Sequence, residues 1–336
     1  MTQYVLARIT RMDDVDIGLF EYDRNNTLYF FFLNADEQVY MRYGGRDATS
    51  PDAYLNLSSL EVALAKGLEL HQRYQRGEIP KAARPQPVFP RQIPLLVERT
   101  FARNNCVECH LIGDFQNIHR ELDGTLDKPV HVYRSPDIKT LGIHLDVPKG
   151  IVVKEAIGPA QAAGMSAEDL ITHWNRVPVY TFGDLQQQHD KLDRKAASVV
   201  VTVERAGQAR DLTIALPIRW WITDIRWRQS SVDPRVYFDS RPLSAEEKRK
   251  LNLAPGGFAG EVTHVDMFAQ VVKSHELKTG DIVYAVDNAE TDEIADSPEL
   301  YIKLRRKSGD SVTLHVIRDG NRMQMPLKTF QMSFRK

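Results

Sequence analysis

The sequence predicts an α+β protein of several domains, in which an N-terminal α/β segment precedes two β-rich modules. Its length of 336 residues corresponds to two or three domains. The apolar, aromatic run at residues 27–33 is typical of a strand that is buried on both faces of a sheet. The second half of the chain contains the same order of strand and helix patterns twice, which indicates two copies of one module.

The first predicted domain, residues 1–78, contains strands and one helix. Residues 5–9 and 27–33 are strand candidates, and residues 38–43 alternate as a returning strand. Ser58 or Ser59 is expected to cap a following helix. The apolar residues of that helix recur at helical spacing: Leu60, Ala63, Leu64, Leu68 and Leu70.

Five prolines predict a stiff linker over residues 79–94. The next segment, residues 95–136, opens with a short helix that leads into a compact motif, Cys106-Val107-Glu108-Cys109-His110. The sequence after the motif is punctuated by glycine and proline, which predicts a loop of roughly 30 residues.

The duplicated modules are predicted at residues 137–218 and 251–330, on either side of a connector at residues 219–250. Each module has strand patterns, then a helix, at about residues 182–192 in the first and 298–306 in the second. The connector holds three of the four tryptophans, interleaved with arginine. Such a segment can stack on ligands, but packing between modules is the more common role and the one expected here.

The composition excludes several classes of protein. A formal net charge of -1 argues against a general nucleic-acid binder, which needs a basic surface. No apolar stretch is long enough to predict a membrane-spanning helix. The common phosphate-loop, serine-hydrolase and zinc-protease motifs do not occur.

The Cys106–His110 motif has the C-x-x-C-H spacing of covalent haem attachment. Two thiols at this spacing can each form a thioether with a haem vinyl group, and His110 then ligates the iron. A redox-active C-x-x-C, a metal site and an inert pair are the alternatives. The sequence thus predicts a c-type haem held by Cys106, Cys109 and His110.

The second axial ligand of such a haem is open. His119 and His131 are the first candidates, and His144 and Met165 are weaker ones. Two histidine ligands favour electron transfer, whereas an open position favours ligand binding or peroxidatic chemistry.

Both β-rich modules resemble bacterial PDZ domains. In the first, Leu141-Gly142-Ile143 resembles the family's carboxylate-binding loop and residues 158–164 its small-residue turn; in the second, residues 280–283 resemble its Gly-Asp strand entry. The resemblance implies that main-chain N–H groups at Leu141, Gly142 and Ile143 bind the C-termini of protein partners, with the peptide added as a strand.

Residues 1–78 resemble the C-terminal part of a thioredoxin-like domain, and the whole layout is similar to the thioredoxin-like/PDZ domain-containing (seleno)protein family. Some members of that family carry selenocysteine. The opening strand and redox helix of a thioredoxin-like domain would precede Met1. We therefore expect a truncated start, caused by an upstream UGA codon read as a stop, which would also have removed a signal peptide.

These observations predict an exported, periplasmic redox protein that transfers electrons through one covalent haem and recruits partners through its PDZ-like modules. An electron carrier or adaptor is favoured over an enzyme. One alternative is a non-enzymatic peptide-binding adaptor with a redox or structural C-x-x-C. The other is a thiol oxidoreductase that lacks its N-terminal half.

Overall fold

A computed structural model describes residues 3–103, 107–222 and 230–330. The chain divides into two compact units. The first unit comprises residues 1–119 and 129–228, and the second comprises residues 120–128 and 229–336. The predicted mixture of helices and several β-sheets is confirmed. In the part of the chain that is described, no helix has the length and apolar character that crossing a bilayer requires.

The N-terminal part of the first unit is a hairpin packed against one helix. Strands β1 (Phe30–Leu33) and β2 (Val39–Tyr43) pair antiparallel, and α1 (Leu57–Gln75) follows. They share a core because their apolar residues face one another: Phe32, Met41, Tyr43, Ala63 and Leu70 are buried. The returning strand and the helix were both predicted correctly.

Three local predictions in this region are wrong. The strand expected over residues 27–33 covers only Phe30–Leu33, and only Phe32 of it is buried, because it pairs in a two-stranded hairpin and not inside a larger sheet. Residues 5–9 do not form a strand, and Val5 is 98% exposed, because no neighbouring strand covers its apolar side chains. The cap of α1 is Asn56, whose side chain accepts a hydrogen bond from the Ser58 amide. An asparagine carbonyl caps a helix as well as a serine hydroxyl, so the start lies two residues earlier than expected.

The segment around the cysteine motif is more helical than predicted. It contains α2 (Pro94–Arg99), α3 (Cys109–Leu122) and α4 (Lys128–His131). The expected loop after His110 is wrong, because Ile112, Phe115 and Ile118 recur at helical spacing and pack together. Ile112 and Phe115 belong to a buried group that we call the α3 cluster. Its buried members are Met12, Ile17, Ile93, Leu96, Val107, Ile112 and Phe115.

The first β-rich module lies in the first unit. Strands β3 and β4 form one sheet, and β6, β5, β7 and β8 form a second in that order. A bridge between Val152 and Leu170 links the two sheets. The elements are β3 (Ile143–Leu145), β4 (Val153–Ala156), α5 (Gly158–Ala162), β5 (Leu170–Trp174), β6 (Val177–Pro178), α6 (Phe182–Asp190), β7 (Ser198–Arg205) and β8 (Gln208–Ala215).

The second β-rich module lies in the second unit and forms a five-stranded antiparallel sheet in the order β13-β12-β11-β10-β9. Its elements are β9 (Phe238–Pro242), α7 (Ala245–Lys250), β10 (Gly260–Val265), α8 (Phe268–Val271), β11 (Ile282–Val286), α9 (Pro298–Arg305), β12 (Ser311–Arg318) and β13 (Asn321–Lys328). Its order is similar to that of the first module, but α7 lies between the first two strands, no strand corresponds to β6, and the five strands form one sheet.

Two connector tryptophans lie in the first unit. Trp220 and Trp221 are each 2% exposed; the Trp220 ring lies 4.7 Å from that of His189, and the Trp221 ring lies 5.4 Å from that of Tyr133. These side chains therefore contribute to the core of the unit. The third connector tryptophan, Trp227, lies outside the described residues.

Candidate functional site

The cysteine motif straddles the start of α3. Cys106 lies outside the described residues, whereas Cys109 and His110 are the first two residues of the helix. Successive helical residues point about 100° apart, so the thiol and the imidazole leave the helix in different directions. Cys109 is half-buried against the α3 cluster, and the His110 side chain is 40% exposed.

The Cys109 thiol lies beside two polar side chains from the N-terminal part of the chain. Burial raises the pKa of the Tyr22 hydroxyl, and a hydrogen bond with the Cys109 side chain raises it further. Arg24 stacks over the Tyr22 ring, with its guanidinium carbon 5.2 Å from the ring centroid. Sequence reasoning missed both residues, since nothing in their spacing links them to the cysteines.

Arg24 is unusually placed for an arginine. It is 9% exposed, and within the described part of the chain its Nη1 atom has no hydrogen-bond partner. Its Nη2 atom donates to the Ile17 carbonyl at 3.4 Å. Burial lowers the pKa of Arg24, and the neighbouring Tyr22, Glu21 and Cys109 partly offset that effect. A buried guanidinium therefore lies over the Tyr22 ring, near enough to the Cys109 thiol for their charges to interact.

The predicted histidines are not brought together around His110. The His110 Nε2 atom lies 3.4 Å from a carboxylate oxygen of Glu108, and both side chains are largely exposed. His119 lies on the same helix nine residues later, which places it on the opposite side and about 13 Å along the axis. The two rings of α3 therefore cannot take the two axial positions of one iron.

The other two predicted histidines lie elsewhere in the first unit. The main-chain carbonyl of His131 accepts a hydrogen bond from Asn117 of α3 at 3.1 Å, two helical turns beyond His110. His144 lies on β3, opposite Glu155 of β4. Across the described ranges, no group of three or more histidine, cysteine, aspartate or glutamate side chains is arranged to hold a metal ion.

Ion pairs between buried and half-buried side chains lie near this region. Arg46 is fully buried and pairs with Asp23, and Arg134 pairs with Glu21 at 2.7 Å and with Asp190. Although burial raises the pKa of Asp23, the Arg46 and Arg134 guanidiniums outweigh it and lower that pKa to about 2. These pairs fix the chain before β1 against the first β-rich module.

The predicted peptide-binding residues form a closed turn. Leu141 and Ile143 are 0% exposed. Gly142 has a φ of 79°, and its N–H donates to the Lys139 carbonyl at 2.9 Å. Its carbonyl accepts a hydrogen bond from the Ile157 amide at 2.9 Å. The Gly142 amide is thus committed to the turn in this conformation.

A second polar site, which sequence reasoning missed, surrounds residues 42–48, here called the strap. Side chains of the first β-rich module bind main-chain groups of the strap. Arg42 N–H donates to Asp184 at 2.8 Å, and the Thr181 hydroxyl donates to the Arg42 carbonyl. Gln186 donates to the Arg46 carbonyl at 2.7 Å and accepts from the Arg46 N–H at 3.4 Å.

The strap continues to the loop before Leu141. Ala48 N–H donates to Asp137 at 3.1 Å, and Lys139 pairs with Asp47 at 2.6 Å. The strap therefore runs from the N-terminus of α6 to the predicted carboxylate-binding loop.

Comparisons with known proteins add little to this geometry. No family model and no curated protein matches the chain. The solved HtrA-type protease AlgW with a tripeptide is 16% identical, with a TM-score of 0.25, over 39% of this chain and 44% of that one. The same protease with a decapeptide is 14% identical, with a TM-score of 0.25, over 41% and 46%. The chain thus spans less than half of these structures, and similarity of this degree assigns neither fold nor function.

Proposed function

We propose that the chain is an electron-transfer protein that carries one haem, attached covalently through Cys106 and Cys109 with His110 as an iron ligand. The observation that carries the proposal is the position of Cys109 and His110 at the start of α3, with the imidazole 40% exposed. An exposed imidazole next to a thiol at the edge of an apolar cluster fits the donor set of a c-type haem.

The bound haem would supply reversible one-electron chemistry at the iron. Cys106 and Cys109 would anchor the macrocycle, and His110 would ligate the iron. Covalent attachment by the usual machinery occurs outside the cytoplasm, so the proposal implies an exported, periplasmic protein.

The decisive experiment is expression of the chain with a signal peptide and haem-maturation genes. Denatured protein should retain the mass of one haem and show a pyridine haemochrome α-band. A variant with Cys106→Ala and Cys109→Ala should lose both signals, and the matched variant His119→Ala should keep them. Absence of covalent haem from the unaltered chain would refute the proposal.

A second candidate function is thiol–disulfide exchange between Cys106 and Cys109. The placement of Tyr22 and Arg24 against the Cys109 thiol favours it, since a neighbouring cation and hydroxyl support thiol chemistry. In this reaction a substrate disulfide is reduced to two thiols while the two cysteines form a disulfide. Maleimide labelling after equilibration with glutathione buffers tests it: two thiols that oxidise together at one potential support it, and independent behaviour contradicts it.

A third candidate function, peptide capture by an adaptor, is favoured by the second module. Its β9 is the edge strand of the sheet, next to α9, and Ser240 of β9 donates to Glu299 of α9 at 2.6 Å. An edge strand beside a helix can accept an extended peptide as a further strand. Immobilised peptides with free or amidated C-termini, probed with the full chain, distinguish specific capture from nonspecific adhesion.

A further inference from the structure

The first β-rich module binds extended main chain in this structure. Four of its side chains, those of Asp137, Thr181, Asp184 and Gln186, bind five main-chain groups of the strap. These contacts recognise the backbone of the strap, whereas its fully buried Arg46 side chain is held by the ion pair with Asp23.

Two positions of the strap add selectivity. Gly45 has a φ of 138°, and a Cβ atom there would lie 2.4 Å from the Phe182 ring. Tyr54 stacks on the same ring, with 3.3 Å between centroids. Two residues after Gly45, the Asp47 carboxylate pairs with Lys139. The site therefore accepts glycine opposite Phe182 and an acidic residue opposite Lys139.

The second module provides a natural comparison. Thr181 and Ser297 are the N-caps of α6 and α9, and each accepts a hydrogen bond from the amide three residues later. Counting from these caps, Leu300 and Ile302 of α9 occupy the places of Asp184 and Gln186. Two of the four groups that bind the strap, Asp184 and Gln186, are thus replaced by apolar side chains in the second module.

We propose that the first module is a receptor for extended peptides of the form Gly-Arg-acid, and that the strap is its resident ligand. The strap keeps this receptor closed to other peptides until it is displaced. The proposal does not depend on the haem, since none of the contacts on which it is based involves Cys109 or His110.

The test uses the full chain and a fluorescein-labelled peptide with the sequence of residues 40–50. Gly45→Val in the protein should expel the strap, because its side chain cannot fit against Phe182. Gly77→Val is the matched control, since Gly77 also has a positive φ, 75°, but no atom lies within 4 Å of its Cβ position. Hydrogen exchange of residues 42–48 and fluorescence anisotropy are measured on both.

The expected result is that exchange in the strap rises at least ten-fold in Gly45→Val only, and that this variant binds the peptide at least ten-fold more tightly than the unaltered chain. A peptide that carries valine in place of glycine at position 45 should not bind. Faster exchange without improved binding, or unchanged exchange, would overturn the proposal.

A second pair of variants covers the case in which Gly45→Val does not fold. Gln186→Leu removes both hydrogen bonds to Arg46. Gln188→Leu makes the same change two positions later on α6 and is the control. Strap exchange should rise in Gln186→Leu and stay unchanged in Gln188→Leu. Equal rates in the two variants would show that the module does not hold the strap.

Discussion

Arg205 holds the fully buried carboxylate of Asp169 with two hydrogen bonds, of 2.6 and 2.7 Å. The second module repeats the contact: Arg318 binds Asp281 at 2.8 and 2.7 Å. In each case the arginine also donates to a main-chain carbonyl, that of Gly164 or Glu276. Arg205 ends β7 and Asp169 precedes β5, whereas Arg318 ends β12 and Asp281 precedes β11. The same contact therefore joins equivalent strands in both modules.

The first prediction concerns this pair. Asp281→Asn should lower the free energy of unfolding of the second unit by about 2 kcal/mol, because the variant leaves a partly buried guanidinium without its counter-charge. Hydrogen exchange in β11 and β12 measures the effect. Asp319→Asn, an exposed change in the adjacent turn, is the control and should have little effect. Equal exchange in both variants would show that the ion pair does not stabilise the unit.

The second prediction concerns Lys128, whose ammonium donates to the carbonyls of Lys303 and Arg306 at 2.6 Å, at the end of α9. Burial lowers its pKa to about 8, against the opposing influence of Asp233, Glu121 and Asp310. The unfolded chain keeps the proton up to a pH near 10.5, so it binds more protons than the folded chain between pH 8 and 10.5.

Stability of the second unit should therefore rise with pH across that window, by at most about 3 kcal/mol. Urea titrations followed by circular dichroism at several pH values measure the slope. Lys128→Met should remove the increase, and Lys278→Met, at an exposed lysine, should retain it. A variant at Lys128 with the slope of the unaltered chain would contradict the assignment.

The third prediction concerns Asp184, which accepts the Arg42 N–H of the strap. Burial raises its pKa to about 6, although hydrogen bonds from Arg42, Tyr180 and Thr181 oppose the shift. Since the folded pKa lies above the unfolded value of 3.8, the stabilisation is complete below pH 4 and is lost as the pH rises through 6.

Asp184→Asn stays neutral but keeps only one of the two acceptor oxygens, so its free energy of unfolding relative to the unaltered chain should be about 3 kcal/mol more favourable at pH 7 than at pH 4. Urea titrations at both pH values measure it. Glu155→Gln, an exposed change on β4, serves as the control and should show no such pH dependence. A pH-independent difference for Asp184→Asn would argue against a buried, titrating carboxyl group.

The fourth prediction concerns Arg46 and Asp23, which pair in the interior of the first unit. Arg46→Met should lower the free energy of unfolding by about 3–5 kcal/mol, because it leaves a buried carboxylate without its guanidinium. The double variant with Asp23→Asn should regain part of that loss, which a double-mutant cycle quantifies. If the two single losses simply add, the side chains do not interact as described.

Parts of the fold follow from periodicity alone. The helix at α1, the returning strand β2 and the two modules were predictable because apolar residues such as Met41 and Leu70 repeat with the period of a strand or a helix. The loop prediction misses the helix α3 although Ile112 and Phe115 have helical spacing, because the glycines and prolines near them are also typical of a loop.

The candidate site is likewise only partly predictable from the sequence. Sequence alone determined the C-x-x-C-H motif and the duplication, since both depend on which residues stand a few positions apart. Only the tertiary structure decided that Tyr22 and Arg24 lie beside Cys109, that His119 faces away from His110, and that Asp184 and Gln186 bind the strap. Those relationships join residues far apart in the chain, or depend on the helix that carries them, and are set when the core packs and buried polar groups find partners.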